Sequence, residues 1–358
     1  MLKFIRSTAM KIIILVLILT MVAFYFAFPK KVQTAKNVVK AYYYVYQGDK
    51  EYKKKNLFGA INYYKAALSY YPAHANGNYN LANIFAVYED YINSLTYYEK
   101  AVLYKPSFMN ARIALGILLA EHFYEYDRAI KEYDTAIKKA PFIIKIPLIY
   151  NNTEYVKFNK AVAYYNMGLA YKWKSLVYGQ EPLEIKTSLQ NAVKSYKNSL
   201  KYDKNNYDTY FNLALSLQLL GKNSDAKMVY CKCINMRPFD YDAHYNLAIL
   251  LREERSFLDA MLELEKAALI VDSEGDGYKT RYIYDVLIET SAKLHAQDNY
   301  NELKEELDNS PLNSYEPTFV NGKIVATEEL DKAMLHNMKT CNACKNFNID
   351  KIKGEDVK

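Results

Sequence analysis

The sequence predicts an all-α protein built as a solenoid of helix-turn-helix repeats. Apolar residues recur at helical spacing, for example at Ala60, Tyr63, Tyr64, Ala67 and Leu68. Glycine and proline number only 11 and 9 among 358 residues, which leaves little material for long loops. A pattern of small residue, aromatic ring and small residue returns about every 34 positions. Periods of this length are typical of stacked helical repeats.

Residues 1–40 are predicted to form a membrane anchor with one transmembrane helix. The run Ile12 to Phe28 is broken only by Thr20, and a helix of that length rises roughly 26 Å. It is longer than a typical signal-peptide core, which favours an uncleaved anchor. We therefore expect a single-pass membrane protein, with the repeats on the exported, extracytoplasmic side in the commoner orientation.

The charge of the chain is concentrated beside this apolar run. Residues 1–40 hold seven Lys or Arg and no acid, which leaves 40 of the 47 basic residues against all 40 acidic ones in the rest of the chain. A neutral body excludes a generally basic, nucleic-acid-coating surface. We expect no nucleic-acid partner.

Two signatures carry the repeat. The small–ring–small triplets allow two antiparallel helices to approach closely while a ring fills the groove between them, and they are Ala60/Tyr64/Ala67, Ser94/Tyr98/Ala101, Ala129/Tyr133/Ala136, Ala192/Tyr196/Ser199, Ala226/Tyr230/Cys233 and Ala260/Leu264/Ala267. Upstream of four triplets lies a second signature, which reads Tyr79-Asn80-Leu81-Ala82, Tyr165-Asn166-Met167-Gly168, Phe211-Asn212-Leu213-Ala214 and Tyr245-Asn246-Leu247-Ala248. A proline follows four triplets, at Pro72, Pro106, Pro141 and Pro238, and ends the second helix.

The period, both signatures and the terminal proline together resemble the tetratricopeptide repeat (TPR) family. Six copies cover about residues 41–272. The tryptophan of the idealised first helix is replaced, and its places hold residues such as Tyr44, Tyr164, Tyr210 and His244. Because His244 stands where the repeat has a ring, it is interpreted as a core residue. The resemblance implies a concave groove, lined by the first helices, that binds protein or peptide segments.

The two signatures divide the chain into six segments. In order, they are the anchor at 1–40 with its span at about 12–28, repeats one to three at 41–143, an insertion at 144–160, repeats four to six at 161–272, capping helices at 273–308, and a C-terminal appendage at 309–358. A second insertion, around Tyr178 to Pro182, is expected to lengthen the turn inside the fourth repeat. In the appendage, Pro317 to Val325 predicts two short strands around an Asn321-Gly322 turn, followed by a short helix.

No catalytic motif stands out in the chain. Glycine-rich phosphate loops, the nucleophile elbow and the zinc-protease helix motif are all missing, and the five histidines are scattered. We expect a protein that is not an enzyme and has no small-molecule substrate.

The recurring Tyr-Asn positions of the first helices are the candidate partner-binding groove. An amide offers donors and an acceptor to a peptide backbone, and a neighbouring ring adds apolar area. The candidate residues are Tyr79, Asn80, Asn83, Tyr165, Asn166, Phe211, Asn212, Tyr245 and Asn246. A role in helix packing alone remains the alternative, because Tyr-Asn is close to the family's own consensus.

One family ligand is not expected. TPR proteins that grip a C-terminal chaperone carboxylate use Lys and Arg on the inner helices of three consecutive repeats. The corresponding places here hold Val45, Asp49, Asn80, Asn110 and Ala114, so the cations are missing.

The C-terminal Cys341-x-x-Cys344 is the one cysteine spacing that suggests chemistry. With His336 it could form part of a zinc site, it could be a disulfide if exported, or it could be inert. No other cofactor is expected. Cys233 occupies a small-residue place and is interpreted as a buried thiol.

The function predicted from these features is a membrane-anchored scaffold or adaptor that binds other proteins in its groove. Two alternatives stay open: a metal- or redox-dependent module using Cys341 and Cys344, and a structural envelope or complex-assembly subunit that acts by self-association. The Lys, Asn, Tyr and Ile content suggests a bacterial source.

Overall fold

The computed structural model describes residues 2–146, 150–274, 277–295, 319–320 and 323–324. These residues contain fourteen α-helices and four two-residue strands. The chain divides into two compact units between Phe142 and Ile143. The all-α repeat architecture predicted from the sequence is confirmed.

Unit 1 contains three helical hairpins after an N-terminal helix. Within it α2 packs on α3, α4 on α5, and α6 on α7. The helices are α1 (Leu2–Ala27), α2 (Pro29–Lys53), α3 (Leu57–Tyr70), α4 (Ala75–Val87), α5 (Tyr91–Tyr104), α6 (Met109–Glu121) and α7 (Tyr126–Lys138).

Unit 2 repeats the same arrangement, with α8 on α9, α10 on α11, α12 on α13, and α14 on α13. Its helices are α8 (Thr153–Ser175), α9 (Pro182–Tyr202), α10 (Tyr207–Leu219), α11 (Asn223–Met236), α12 (Tyr241–Glu253), α13 (Phe257–Glu274) and α14 (Gly277–His295). Its strands are β1 (Lys145–Ile146), β2 (Tyr150–Asn151), β3 (Phe319–Val320) and β4 (Lys323–Ile324). In both units we call the earlier helix of a hairpin its first helix and the later one its second helix.

The turn inside most hairpins passes through one left-handed residue. Five of these residues are Lys55, Glu89, Tyr124, Gly221 and Arg255, with φ between 56° and 71°. Four of them carry a Cβ, which is disfavoured in this conformation by roughly 1–2 kcal/mol. The conformation persists because it reverses the chain tightly enough for the two helices to pack.

Close approach of the paired helices depends on small residues beneath a tyrosine ring. A Cβ added at Gly48, Gly116 or Gly168 would lie 2.5 Å from a ring carbon of the second helix, in each case a tyrosine of the predicted triplet. Tyr133 and Tyr196 are buried. The small–ring–small interpretation of the sequence is therefore confirmed for these hairpins.

The residues that replace the first-helix tryptophan include hydrogen-bond donors. Asn78 Nδ2 lies 2.9 Å from the carbonyl oxygen of Pro72, and Arg112 Nε lies 2.7 Å from that of Pro106. Each donor stands six residues after the proline. The side chain thereby donates to the proline's own carbonyl, which lies in the turn beyond the end of the second helix.

His244 follows the same rule in unit 2. The histidine is fully buried, as predicted for a core residue, and its Nε2 lies 2.8 Å from the Pro238 oxygen. Its Nδ1 lies 2.6 Å from Oε2 of Glu263, and the other carboxylate oxygen, Oε1, accepts from Lys266 at 2.7 Å. Both ring nitrogens therefore have a polar partner inside the core. The sequence analysis predicted a buried His244 but not its polar contacts with Glu263 and Lys266.

The fourth repeat differs in part from the prediction. Its helices α8 and α9 have 23 and 21 residues, whereas α10 and α11 have 13 and 14. The turn between α8 and α9 is longer than that between α10 and α11, with six residues (176–181) against three (220–222), as predicted. The remaining extra residues extend both helices, which the sequence did not predict, and Pro182 occupies the first helical position of α9.

The described residues also form two short antiparallel β-hairpins. β1 pairs antiparallel with β2 inside the predicted insertion 144–160, where the sequence predicted no strand, and α8 already begins at Thr153. β3 pairs antiparallel with β4, with Val320 opposite Lys323, as predicted on either side of Asn321-Gly322. The predicted helix after Thr327 lies outside the described residues.

α14 covers the last hairpin. Ile283 and Val286 are buried in one cluster with Leu264, Ala267 and other residues of α12 and α13. This agrees with a capping role for α14, whereas residues 296–308 of the predicted cap lie outside the described part of the chain.

α1 exposes the apolar side chains in its central part. The eight residues Ile12–Leu19 are each between 50% and 58% exposed. In the part of the chain that the structure describes, none of the helices combines the length and apolar character that a bilayer crossing needs. The predicted transmembrane anchor is therefore not supported.

Candidate protein-binding surface

In unit 1 the predicted Asn80 belongs to a polar cluster between hairpins. Its Nδ2 donates to the Asp49 carboxylate at 2.8 Å and lies 3.4 Å from the Tyr64 hydroxyl. That hydroxyl also donates to Asp49, at 2.7 Å. Burial and the hydrogen bond to Asp49 raise the pKa of Tyr64. The cluster leaves Asp49 with two donors.

The other two predicted residues of unit 1 contact the second helix. The Asn83 oxygen accepts from the Tyr98 hydroxyl at 2.6 Å. The Tyr79 ring lies 5.0 Å from the Phe108 ring and 6.0 Å from the Tyr98 ring, between centroids. Both residues are half-buried. Their contacts are those that a packing role requires, and each still exposes part of its side chain.

In unit 2 two asparagines point one amide donor back onto their own helix. Asn166 Nδ2 donates to the Val162 carbonyl at 2.9 Å, and Asn246 Nδ2 donates to the Asp242 carbonyl at 2.7 Å. Each bond spans one helical turn. Both side chains are half-buried. Each bond uses one of the two amide N–H groups of its side chain.

Asn212 has the same back-bond and additional partners. Its Nδ2 donates to the Asp208 carbonyl at 2.9 Å and lies 3.5 Å from the Tyr165 hydroxyl on α8. Its Oδ1 accepts from Lys172 Nζ at 2.6 Å. These contacts join α8 to α10, the first helices of consecutive hairpins. Burial lowers the pKa of Lys172.

The rings of unit 2 pack partly on the second helices. Phe211 lies 6.1 Å from Tyr230 and 6.2 Å from Tyr207, and Tyr165 lies 6.1 Å from Tyr196. Phe211 and Tyr165 stay half-buried. Each ring therefore packs against neighbouring rings and still leaves part of its surface exposed, and an exposed aromatic surface can contribute apolar contact area.

The first helix α12 also contacts the last helix, α14, through side chains. The Tyr245 hydroxyl lies 3.2 Å from the Tyr282 hydroxyl, with ring centroids 5.9 Å apart. Arg252 donates to Glu289 at 2.6 Å. Burial and the contact with Tyr282 raise the pKa of Tyr245.

These contacts define one surface in each unit, which we call the first-helix face. It comprises Asp49, Tyr79, Asn80 and Asn83 in unit 1, and Tyr165, Asn166, Lys172, Phe211, Asn212, Tyr245, Asn246 and Arg252 in unit 2. All nine predicted groove residues are included and all are half-buried. The sequence reading did not single out Lys172 or Arg252. Lys172 stands seven residues after Tyr165, which places both on one side of a helix, so helical spacing could have identified it.

Cys233 lies within the described residues, whereas the predicted zinc ligands do not. Cys341, Cys344 and His336 lie outside the described residues. Cys233 is a free, buried thiol, as interpreted from its place in the triplet, and burial raises its pKa. Among the residues that the structure describes, no group of three or more His, Cys, Asp or Glu could hold a metal ion.

Comparisons with known proteins give similarities at low identity. No family model and no curated protein matches the chain. Among solved structures, YrrB, described as a TPR protein with an unusual peptide-binding site, is 17% identical with a TM-score of 0.46 and covers 62% of this chain and 97% of its own. MamA from Desulfovibrio magneticus RS-1 is 17% identical with a TM-score of 0.43, covering 55% and 94%.

A third similar structure is PilW, a widely conserved type IV pilus biogenesis factor. It is 15% identical with a TM-score of 0.42 and covers 75% of this chain and 97% of its own. At these identities and TM-scores, none of the three similarities carries an argument about the function of this chain.

Proposed function

We propose that this protein is a scaffold or adaptor whose first-helix face binds segments of other proteins. The observation that supports the proposal is the orientation of the amides in unit 2. Asn166 and Asn246 each hold one amide N–H against their own helix, and each side chain is half-buried next to a half-buried tyrosine in the sequence, which leaves the carboxamide oxygen as the proposed acceptor for a ligand. A bound segment can donate its backbone N–H groups to these oxygens and place apolar side chains on the rings.

The proposed role is binding, and we assign no catalytic step to this face. Each carboxamide oxygen that accepts one hydrogen bond contributes about 0.5–1.5 kcal/mol. Removing one such oxygen is therefore expected to weaken binding about two- to tenfold.

Selection from a displayed library of random dodecapeptides tests this proposal. The full chain, purified in mild detergent, is used as bait, and enriched peptides are measured by fluorescence anisotropy. Asn166→Ala and Asn246→Ala are expected to weaken binding, and Asn198→Ala is the matched control because Asn198 is half-buried on a second helix.

Equal loss in all three variants, or no enriched peptide at all, would contradict the proposal. Circular dichroism of each variant establishes that the helices are retained, so that a loss of binding reports the face and not the fold.

We also propose that α1 holds the chain at a membrane with the repeats on the exported side. The proposal rests on the apolar run Ile12 to Phe28, its flanking basic residues, and the exposed side chains of Ile12–Leu19. Membrane fractionation of producing cells, comparing the natural chain with Leu15→Arg and Ile18→Arg, is expected to show release of the double variant. Protease treatment of cells with a permeabilised outer layer is expected to degrade the repeats. Release of the natural chain, or protection of the repeats, would contradict it.

A further inference from the structure

Lys172 is a half-buried cation on the first-helix face of unit 2. Its Nζ donates to the neutral Oδ1 of Asn212 at 2.6 Å. Among the described residues, no carboxylate oxygen lies within 4.0 Å of this amine, whereas Arg252 on the same face pairs with Glu289 at 2.6 Å. The ammonium has three N–H donors, and Asn212 accounts for one.

The surroundings of Lys172 hold the amine without neutralising it. Asn212 is fixed by its donation to the Asp208 carbonyl at 2.9 Å, so its oxygen stays directed at the lysine. The Asp208 carboxylate lies 3.8 Å from Arg237 and forms its ion pair there. Burial lowers the pKa of Lys172, which is the response of a cation removed from water without a counterion.

Unit 1 shows the opposite charge next to the equivalent asparagine, at a different position of the preceding first helix. Asn80 and Asn212 are the second residues of the same signature in two repeats, and each contacts an ionisable side chain of the preceding first helix. In unit 1 that side chain is Asp49, which already receives hydrogen bonds from Asn80 and Tyr64. In unit 2 it is Lys172, whose amine donates to the Asn212 carboxamide and has no other hydrogen-bond partner among the described residues. The two faces therefore differ in the charge they offer to a ligand.

We propose that Lys172, positioned by Asn212, is the anion-recognition point of unit 2 and binds a carboxylate of the partner segment. This inference rests on the proposed function of the first-helix face and specifies the chemistry of its ligand. A carboxylate that enters a partly desolvated place gains more from an ammonium than it would at an exposed one. The carboxylate can belong to an Asp or Glu side chain or to a chain terminus.

The test uses two random dodecapeptide libraries, one with a free and one with an amidated C-terminus, and the purified full chain. We expect enrichment of an Asp or Glu at one fixed position, or of free over amidated termini, which distinguishes the two sources of the carboxylate. Replacing that carboxylate by the amide in the best peptide is expected to weaken binding about tenfold or more, since hydrogen bonds to charged groups contribute about 1.5–3 kcal/mol.

Variants of the protein complete the test. Lys172→Met keeps the apolar stem and is expected to lose the preference for the carboxylate over the amide peptide, whereas Lys172→Arg is expected to keep it. Lys197→Met, at a half-buried lysine of a second helix, is the matched control and should behave as the natural chain.

The outcomes separate the two proposals. Peptides that bind, lose affinity with Asn166→Ala and show no acidic preference would overturn the role of Lys172 and leave the binding face intact. A preference that persists in Lys172→Met would also overturn it. Failure of both libraries to enrich any peptide would overturn the binding face and this inference together.

Discussion

Replacing Gly116 by alanine tests the packing that forms the hairpins. A Cβ at this position would lie 2.5 Å from Cε1, 2.8 Å from Cζ and 3.0 Å from Cδ1 of Tyr133. The ring belongs to a residue that is only 1% exposed, so it has little room to move. We therefore expect the substitution to strain the α6–α7 hairpin.

Two opposing effects set the change in the free energy of unfolding of the α6–α7 hairpin. Alanine in a helix interior is favoured over glycine by about 1 kcal/mol, whereas overfilling a packed core costs about 1–3 kcal/mol. Because the added Cβ would meet three ring carbons at 3.0 Å or less in a side chain that is 1% exposed, we expect a cost of about 2–3 kcal/mol. The expected net loss is then about 1–2 kcal/mol, or a factor of roughly 5 to 30 in the local opening equilibrium. Gly77→Ala is the matched control, because its Cβ would meet no atom closer than 3.3 Å.

The sixth repeat supplies a second variant. There Ala248 and Leu264 occupy the places of the glycine and the ring, and both are fully buried in one cluster. In a Tyr133→Leu background, Gly116→Ala is therefore expected to stabilise the hairpin, by up to about 1 kcal/mol, because only the helix propensity remains. The sign of the effect should reverse between the two backgrounds.

Hydrogen exchange read by mass spectrometry is the appropriate assay. Repeat arrays open in segments, so the exchange of α6 and α7 peptides gives the local free energy that a global melt would average. A Gly116→Ala variant that is neutral or stabilising with Tyr133 present would refute the packing argument, as would equal effects in the two backgrounds.

Three further predictions concern turns and buried charges. Glu89→Gly should raise the melting temperature, corresponding to about 0.5–1 kcal/mol, because Glu89 has the left-handed φ that Gly221 adopts without strain; no change would contradict this. Glu263→Gln should cost about 3–5 kcal/mol in urea denaturation, because it removes the buried carboxylate that pairs with the buried Lys266 and contacts His244; a loss below 1 kcal/mol would contradict it. Burial raises the pKa of Glu265 to about 7. The folded state therefore has its full stability while Glu265 is protonated, below about pH 4.5, and loses stability as the pH rises through 7 and the buried carboxylate ionises. Glu265→Gln should remove that loss, worth about 2–3 kcal/mol between pH 5 and 8, and an unchanged pH profile would refute it.

Most of the hairpin architecture could be predicted from the sequence, because it depends on local spacing. The triplets around Tyr64, Tyr133 and Tyr196 place a ring over a glycine of the paired helix, and that contact follows from two short patterns a fixed distance apart. The elongation of α8 and α9 could not be predicted in this way, since a stretch of extra residues can extend either a turn or a helix.

The candidate surface was predicted in its rings and amides but not in its charges. Asn212 stands in a recurring signature, whereas Lys172 becomes its neighbour only when α8 and α10 pack together. The cluster of His244 and Glu263 was missed for the same reason, because the two residues belong to different helices. Contacts between side chains of different helices depend on how the helices pack, and the spacing of residues along one sequence does not predict them.

Site-specific photo-crosslinking in producing cells tests the central proposal most directly. A photoreactive side chain is placed at Asn166, at Asn246, or at Asn198 on a second helix as the control. Crosslinks to other proteins from positions 166 and 246, with none from 198, are the predicted result. Crosslinks of equal strength from all three positions, or from position 198 alone, would contradict the proposal that the first-helix face is the binding surface.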